Sequence, residues 1–289
     1  MSSCSNHEET NSGNASQEEM PFSAVTVENV NPRDEQYDSE EDPESSLSID
    51  ISRENAITRA VEKASESVVT IMSTQSVPEV ESLHEEYMRF FFGGQIPRDN
   101  TSMGSGFVIS EDGLVVTNQH VVGGSPSEIT VTTTDGSMFN ARLIGFDELT
   151  DIALLKIESD EPFQYINLTE SDDVIVGEWA IALGNPFGLF EDGRPTATVG
   201  VISAKNRDFT PDPNNRRVYI DMIQTDAAIN RGNSGGPLLN SNGDVIGMNT
   251  FIYTGGTSAG FVGLSFAIPS SRIDRVISHL LTSGVVMLD

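Results

Sequence analysis

The 289-residue sequence contains a single cysteine, Cys4, and only three lysines. One cysteine excludes an internal disulfide and a thiolate metal centre within the chain. The 16 basic residues are outnumbered by 44 acidic residues, the formal net charge is −28, and no basic run is longer than Arg216-Arg217. Phosphate backbones are bound by clustered cations, so this charge pattern argues against a nucleic-acid partner and against binding to an anionic membrane surface.

Long apolar runs are also missing from the sequence. No stretch approaches the roughly 18 apolar residues of a transmembrane helix, and the first residues lack the basic and apolar regions of a signal peptide. Met1-Ser2-Ser3-Cys4 is nevertheless similar to the end of a bacterial lipoprotein signal, in which a small residue precedes an acylated cysteine. A membrane tether through Cys4 is therefore expected only if an upstream signal is missing from this sequence. The other interpretation is a chance match.

The acidic residues are concentrated at the N-terminus. Residues 1–55 hold 14 acidic and 2 basic side chains, are rich in Ser, Asn and Glu, and show no apolar periodicity. Such a segment cannot bury enough surface to offset its ordering entropy. Residues 1–50 are therefore predicted to form a disordered acidic tail, which acts either as a solvating spacer or as an acidic interaction arm.

The rest of the sequence is predicted to be all-β, with a short helix at each end. Apolar residues between Ala56 and Ala64 recur at helical spacing, and Ser52 can cap the start of this helix. Short apolar segments follow, broken by turn sequences such as Asp135-Gly136 and Asn242-Gly243. The series ends at Pro269, after which SSRIDRVISHLLTSG predicts a C-terminal helix.

The predicted strands divide near residue 170, where the polar sequence TESDD separates two groups of about six. Short strands at regular spacing are typical of antiparallel barrels or a sandwich. We therefore expect two antiparallel six-stranded β-barrels, in residues 51–170 with the N-terminal helix and residues 171–289 with the C-terminal helix. A cleft between two such barrels can hold catalytic residues on facing loops.

Three residues stand out as candidates for nucleophilic catalysis. Among four histidines, His120 is the one released at the end of a predicted strand, in TNQHVV. Asp151 opens the apolar segment of TDIALLKI, where a carboxylate can be desolvated and paired. Ser234 lies in GNSGGP, whose glycines allow a tight turn that exposes the hydroxyl and gathers backbone N–H groups. Each alone has an ordinary structural explanation, but their order His, Asp, Ser is that of the chymotrypsin class of serine hydrolases.

The segments around these residues carry a wider resemblance. TNQHVV, TDIALLKI, IALGNPFG, IQTDAAINRGNSGGPLLN and FVGLSFAIP, in this order and at these intervals, are similar to the protease domain of the HtrA/Deg family. The resemblance covers residues 55–285, and the sequence ends near that point, whereas most members of the family continue into one or two PDZ domains. It implies a chymotrypsin-like serine endopeptidase that degrades unfolded or damaged proteins in protein quality control and the stress response.

The resemblance also implies roles for individual residues. Ser234 would be the nucleophile, His120 the general base and then acid, and Asp151 the group that orients the imidazole. Backbone N–H groups of Gly232 and Ser234, with Asn233 between them, would form the oxyanion hole. No metal or other cofactor is implied.

Specificity and regulation are expected from residues near this turn. The floor of the first pocket in trypsin-like folds is set six residues before the nucleophile, which gives Ala228 here, and the resemblance adds Ile229 and Leu264 as walls. We expect cleavage after Val, Ala, Ile or similar side chains of extended chains. Arg207 is implied to be an activation sensor, the other interpretation being a solvated loop arginine.

Partners and location are also implied by the resemblance. The aromatic cluster Tyr87, Phe90, Phe91 and Phe92 lies in an otherwise polar segment and favours a homotrimer, whereas a folded-back apolar cap is the simpler interpretation. A periplasmic or extracytoplasmic location and unfolded polypeptide substrates are expected. Two other functions stay open: a noncatalytic or latent chaperone-like binder of unfolded chains, and a scaffold whose working part is the acidic tail.

Overall fold

The fold is described by a computed structural model of the chain. It describes residues 53–75, 101–124, 126–169, 173–185, 194–209, 217–230, 232–252 and 263–283. Cys4, the acidic tail and the aromatic cluster at residues 87–92 lie outside these ranges, so the predictions made for them stay predictions.

The first barrel is built from six strands, several of which are buried along most of their length. They are β1 Val68–Gln75, β2 Thr101–Val108, β3 Leu114–Asn118, β4 Pro126–Thr132, β5 Met138–Asp147 and β6 Ile152–Ile157. All pairings are antiparallel and the barrel closes in the order β1-β2-β3-β6-β5-β4. Because side chains alternate across a strand, β-branched and leucine residues such as Ile71, Val115 and Leu155 fill the interior. A one-turn helix, α2 Gln119–Val122, follows β3 directly.

The second barrel repeats this arrangement. Its strands are β7 Trp179–Gly184, β8 Thr196–Phe209, β9 Tyr219–Thr225, β10 Pro237–Leu239, β11 Val245–Ile252 and β12 Ser265–Pro269. They close antiparallel in the order β10-β11-β12-β9-β8-β7, around a core that includes Ala182, Ile223 and Leu238. The prediction of two antiparallel six-stranded barrels is confirmed.

The N-terminal helix, α1 Ala56–Ser65, is present but is not capped at Ser52. Asn55 is the N-cap: its side chain accepts hydrogen bonds from the N–H groups of Ile57 and Thr58, and the Thr58 hydroxyl accepts one from the Asn55 N–H. A capping box of this kind fixes the start of the helix at Ala56. The helix then packs on the second barrel, where Lys63 Nζ lies 2.8 Å from Asp244 Oδ1.

The predicted C-terminal helix, α3 Ser270–Ser283, is confirmed. It follows the second barrel in the sequence and packs against the first barrel as well. Ile273, Ile277 and Leu280 are buried in an apolar cluster that also contains residues of both barrels. The Leu280 side chain lies against Gly145 of β5, in the first barrel. Each terminal helix therefore packs against the barrel at the other end of the sequence and fastens the two barrels together. No helix within the described ranges has the length and apolar character needed to cross a membrane.

Candidate active site

The His120 and Asp151 side chains form a buried pair at the end of the first barrel. Strand β3 ends at Asn118, and α2 turns His120 back towards the loop between β5 and β6. His120 Nδ1 lies 2.8 Å from Asp151 Oδ2, and the His120 N–H donates to Asp151 Oδ1 at 3.0 Å. The two side chains are 5% and 0% exposed. This double contact fixes both the position and the orientation of the imidazole, with Nδ1 on the carboxylate.

Asp151 is held in a conformation that few residues adopt. Its φ is 61°, in the left-handed region where Asp and Asn are tolerated better than most residues. Two hydrogen bonds stabilise this conformation: the Asp151 carbonyl accepts from the Gln119 N–H at 3.1 Å and from Asn118 Nδ2 at 3.0 Å. The carboxylate is thereby aimed at α2.

The charge of Asp151 is stabilised by cationic partners. Burial by itself raises the pKa of this carboxyl, but the Arg217 guanidinium and His120 outweigh it, so the pKa lies below its ordinary value. Arg217 Nε lies 3.6 Å from Asp151 Oδ1, and the Tyr219 hydroxyl donates to Asp151 Oδ2 at 3.5 Å. The carboxylate is consequently ionised over the neutral pH range.

Ser234 sits in a turn that the first barrel helps to hold. The Ser105 N–H of β2 donates to the Ser234 carbonyl at 2.9 Å, and the Ser105 hydroxyl donates to the Gly232 carbonyl. Gly235 has φ 87°, and a Cβ at this position would lie 2.1 Å from the Ser105 carbonyl oxygen. Only glycine fits such a close approach, which explains why GNSGGP has a glycine directly after the serine.

Hydrogen bonds connect the Ser234 turn to the His120–Asp151 pair. The Ser234 hydroxyl donates to the Thr250 carbonyl at 3.0 Å. Asn118, fully buried, reaches both Asp151 and Thr250, because its Nδ2 also lies 3.2 Å from Thr250 Oγ1. The three residues predicted as a triad are thus brought to the same seam between the barrels.

The backbone of the turn offers hydrogen-bond donors. The Asn233 N–H donates to the Asn230 carbonyl at 3.1 Å, whereas the N–H groups of Gly232 and Ser234 donate to no backbone carbonyl of a described residue. Within the described ranges, no group of three or more His, Cys, Asp or Glu residues could hold a metal ion. A hydroxyl, a paired imidazole and two N–H donors are the parts needed for acyl transfer.

Comparisons with known proteins agree with this geometry. A family model described as Trypsin-like peptidase domain matches residues 104–248, which include His120, Asp151 and Ser234. A probable periplasmic serine endoprotease DegP-like of Chlamydia trachomatis is 47% identical over 214 residues, which is 70% of this chain and 40% of the relative. The protein of the same name from Hahella chejuensis is 43% identical over 244 residues, covering 79% and 49% of the two chains.

A solved structure gives the same result. The HtrA-type protease AlgW with decapeptide superimposes with a TM-score of 0.62 and 32% identity, over 80% of this chain and 69% of that one. This chain belongs to the HtrA/Deg family of trypsin-like peptidases. It spans less than half the length of the two curated relatives.

In this HtrA/Deg chain the predicted pocket residues differ in exposure. Ala228 is half-buried, and its carbonyl accepts a hydrogen bond from Thr198 Oγ1 at 2.7 Å. Ile229 is 1% exposed and belongs to the core of the second barrel, while Leu264 is half-buried against the apolar cluster shared by the barrels. Of these three side chains, those of Ala228 and Leu264 retain exposed surface.

Arg207, the predicted sensor, lies on the outer surface of the HtrA/Deg fold. It is exposed on β8, opposite Met222 of β9, at an irregular pairing. The neighbouring Asn206 has a φ of 56°. The structure does not bring Arg207 into the contacts described for His120, Asp151 and Ser234.

Several residues of the HtrA/Deg site were missed from the sequence. Asn118 lies within TNQHVV, but only its hydrogen bonds in the structure distinguish it, and the same is true of Ser105 in β2. Arg217 and Tyr219 reach Asp151 from the second barrel. No sequence pattern marks them, because barrel packing, and not sequence spacing, brings them to the carboxylate.

Proposed function

We propose that this chain is a serine endopeptidase that cleaves unfolded or damaged polypeptides in protein quality control. The observation that carries the proposal is the buried His120–Asp151 pair, joined through Asn118 and Thr250 to the turn that presents Ser234. The relatives named DegP-like serine endoproteases support the same activity. Its alternative, a noncatalytic chaperone-like binder, requires none of this geometry.

In the proposed reaction, the Ser234 hydroxyl turns from the Thr250 carbonyl towards His120 and attacks the scissile carbonyl carbon. His120 accepts the hydroxyl proton and then donates it to the leaving amine, while Asp151 fixes the tautomer and stabilises the imidazolium. The resulting acyl-enzyme is hydrolysed by water that His120 deprotonates. We assign the oxyanion donors to the N–H groups of Gly232 and Ser234, each worth about 3 kcal/mol in the transition state. The N–H of Asn233 is engaged by Asn230 and serves the turn.

The first pocket is proposed to accept small aliphatic side chains. Ala228 brings no charge to its floor, so Lys or Arg side chains find no counter-ion there. The partly exposed Leu264 offers an apolar wall, and Ile229 supports the floor from the core. Extended substrates would bind as an added strand.

The test compares wild type with Ser234→Ala on reduced casein, with fragments mapped by mass spectrometry. We expect wild type alone to cut, after Val, Ala or Ile. Both proteins should keep the same fold by circular dichroism, because Ser234 contributes little to the core. Equal cutting by the variant, or a preference for Lys and Arg, would contradict the proposal.

Absence of cleavage by both proteins has two explanations. A fluorophosphonate probe separates them, since a latent enzyme would still be labelled at Ser234 and a binder would not. Deleting residues 1–50 is expected to leave cleavage intact, whereas a scaffold that works through its acidic tail would lose its partner.

A homotrimer and a regulatory role for Arg207 are further parts of this proposal. An apolar set on the outside of the second barrel supports self-association: Ile175 is 66%, Trp179 50% and Val199 41% exposed. Light scattering should give three times the 31.2 kDa chain mass, and Trp179→Ser should lower this measured mass.

The proposed regulatory role of Arg207 has its own test. Arg207→Ala should alter the activation of cleavage and leave the pH dependence of cleavage unchanged.

The proposed location is periplasmic or otherwise extracytoplasmic, as the names of the DegP-like relatives suggest. A tether through Cys4 belongs to this proposal only if an upstream signal is present in the natural protein. Labelling with a lipid precursor, after expression of the upstream reading frame, would show lipid on wild type and none on Cys4→Ser.

A further inference from the structure

A cation from the second barrel is packed against the carboxylate of the proposed triad. The Arg217 side chain is only 13% exposed, and its Nε lies 3.6 Å from Asp151 Oδ1. Its Nη2 donates to Gln119 Oε1 at 2.9 Å, and Gln119 is the residue before His120 in α2. The guanidinium therefore touches both the carboxylate and the helix that carries the imidazole.

We propose that Arg217 is a positioning residue of the active site, which holds Asp151 in place and limits how strongly this carboxylate stabilises the His120 imidazolium. The inference rests on the proposed function, in which Asp151 orients His120. It adds a residue from the second barrel to the Asp–His pair of the first.

The two carboxylate oxygens of Asp151 have separate partners. Oδ1 accepts the His120 N–H and faces Arg217, while Oδ2 faces His120 Nδ1 and accepts the Tyr219 hydroxyl. Arg217 thus binds the oxygen that does not contact the imidazole ring. The Arg217 charge, held in place by the Gln119 contact, favours this orientation of the carboxylate.

Arg217 is also the permanent charge of this cluster. Among the described residues, the ionisable groups in contact with the Asp151 carboxylate are His120, Arg217 and Tyr219. Burial, together with the Asp151 charge, raises the pKa of Tyr219, so its phenol stays neutral wherever an imidazole titrates. The guanidinium stays protonated throughout. The Asp151 carboxylate therefore interacts with two partners. One is a fixed cation, Arg217, and the other is the imidazole of His120, which gains a proton only during the reaction.

Removing the fixed cation has a defined electrostatic consequence. Without Arg217, the whole carboxylate charge acts on His120, and repulsion between guanidinium and imidazolium disappears. The protonated imidazole becomes more stable in the resting protein, and the fraction able to act as a base falls. The titration of His120 should move to higher pH, and the acid limb of kcat/KM should follow it.

The test is a histidine NMR titration of the full chain in four forms: wild type, Arg217→Gln, Arg217→Lys and the control Arg142→Met. There are four histidines, so the His120 signal can be assigned by its loss in a His120→Gln variant. Arg142 is exposed on β5 and reports the loss of one charge elsewhere. We expect a rise of about half a pH unit or more in Arg217→Gln, little change in the control, and a value near wild type in Arg217→Lys.

Two results would overturn the inference. One is an unchanged His120 titration in folded Arg217→Gln, even if its thermal stability is lower, because a purely structural role affects folding only. The other is an equal rise in Arg142→Met. Should Arg217→Gln not fold, Arg217→Met in the same titration takes its place.

This readout is independent of peptide cleavage. If wild type fails to cleave and Ser234 is not labelled, the proposed function fails while the titration can still be read. If wild type cleaves and the titration does not move, only the role of Arg217 is lost.

Discussion

The conformation of Asp151 makes this residue the most demanding point of the site. It combines a φ of 61°, complete burial and contacts with His120, Arg217 and Tyr219. Asn tolerates the same backbone region, so Asp151→Asn should fold while presenting the wrong hydrogen-bond pattern to the imidazole. We expect kcat to fall by about 10⁴-fold on an unfolded substrate. Asp160→Asn, which changes an exposed carboxylate, is the matched control and should remain at wild-type activity.

Wild type and Asp151→Asn are also expected to differ in stability by an amount that depends on pH. Asn removes the carboxylate charge that pairs with the buried Arg217 side chain, which costs about 3 to 5 kcal/mol. Since the pKa of Asp151 is lowered in the folded state, its contribution is present above the unfolded-state value near pH 4 and is lost as pH falls through the folded-state value. Urea unfolding should show a constant gap between wild type and Asp151→Asn at neutral pH that narrows in acid. A gap of the same size at all pH values would contradict the assigned charge.

Sequence patterns identify the proposed triad better than the residues that support it. His120, Asp151 and Ser234 lie in segments whose local composition is unusual. No sequence motif marks Ser105, Thr250 or Arg217. Their contacts depend on which strands come together when the barrels pack. Ile229 is predicted as a pocket wall, and its side chain is buried in the core of the second barrel, so its part in the pocket stays a prediction.

At the scale of the elements, the two terminal helices hold the barrels together, because each packs against the barrel at the other end of the sequence. Leu280 of α3 is 2% exposed and lies against Gly145 of the first barrel, whereas its neighbour Leu281 is 54% exposed. Leu280→Ala should therefore destabilise the protein by about 2 to 4 kcal/mol through lost burial and a new cavity. Leu281→Ala should change the free energy of unfolding by about 0.5 kcal/mol or less. Urea midpoints measure both, and equal losses would show that α3 does not fasten the barrels through this face.

The elements themselves could be predicted from the sequence. The strand count of each barrel follows from short apolar segments separated by turn sequences, and the helix after Pro269 follows from a helical pattern. The barrel that each helix packs against could not be predicted, because an apolar helix face predicts burial but does not identify the surface that covers it. The start of α1 was misplaced at Ser52 because Asn55 and Thr58 form the capping box, and a Thr in place of the usual Glu or Gln weakens that signal.

For the whole molecule, charge is the dominant feature. Beyond residue 55 the chain still carries 30 acidic and 14 basic side chains. This excess weakens the compact state through self-repulsion, which dissolved salt screens over about 10 Å at 0.1 M. We expect the urea midpoint at neutral pH to rise as sodium chloride is added from low to molar concentration.

Screening and general salting-out can be separated by pH. Near the sequence pI of about 4.2, the net charge and its repulsion vanish, so a gain caused by screening should largely disappear there, whereas salting-out strengthens apolar burial at either pH. The chain without residues 1–50 should keep most of the gain at neutral pH, because repulsion within the barrels remains when the acidic tail is removed. A midpoint that falls steadily with salt would mean that specific ion pairs such as Lys63–Asp244 outweigh the repulsion among the carboxylates.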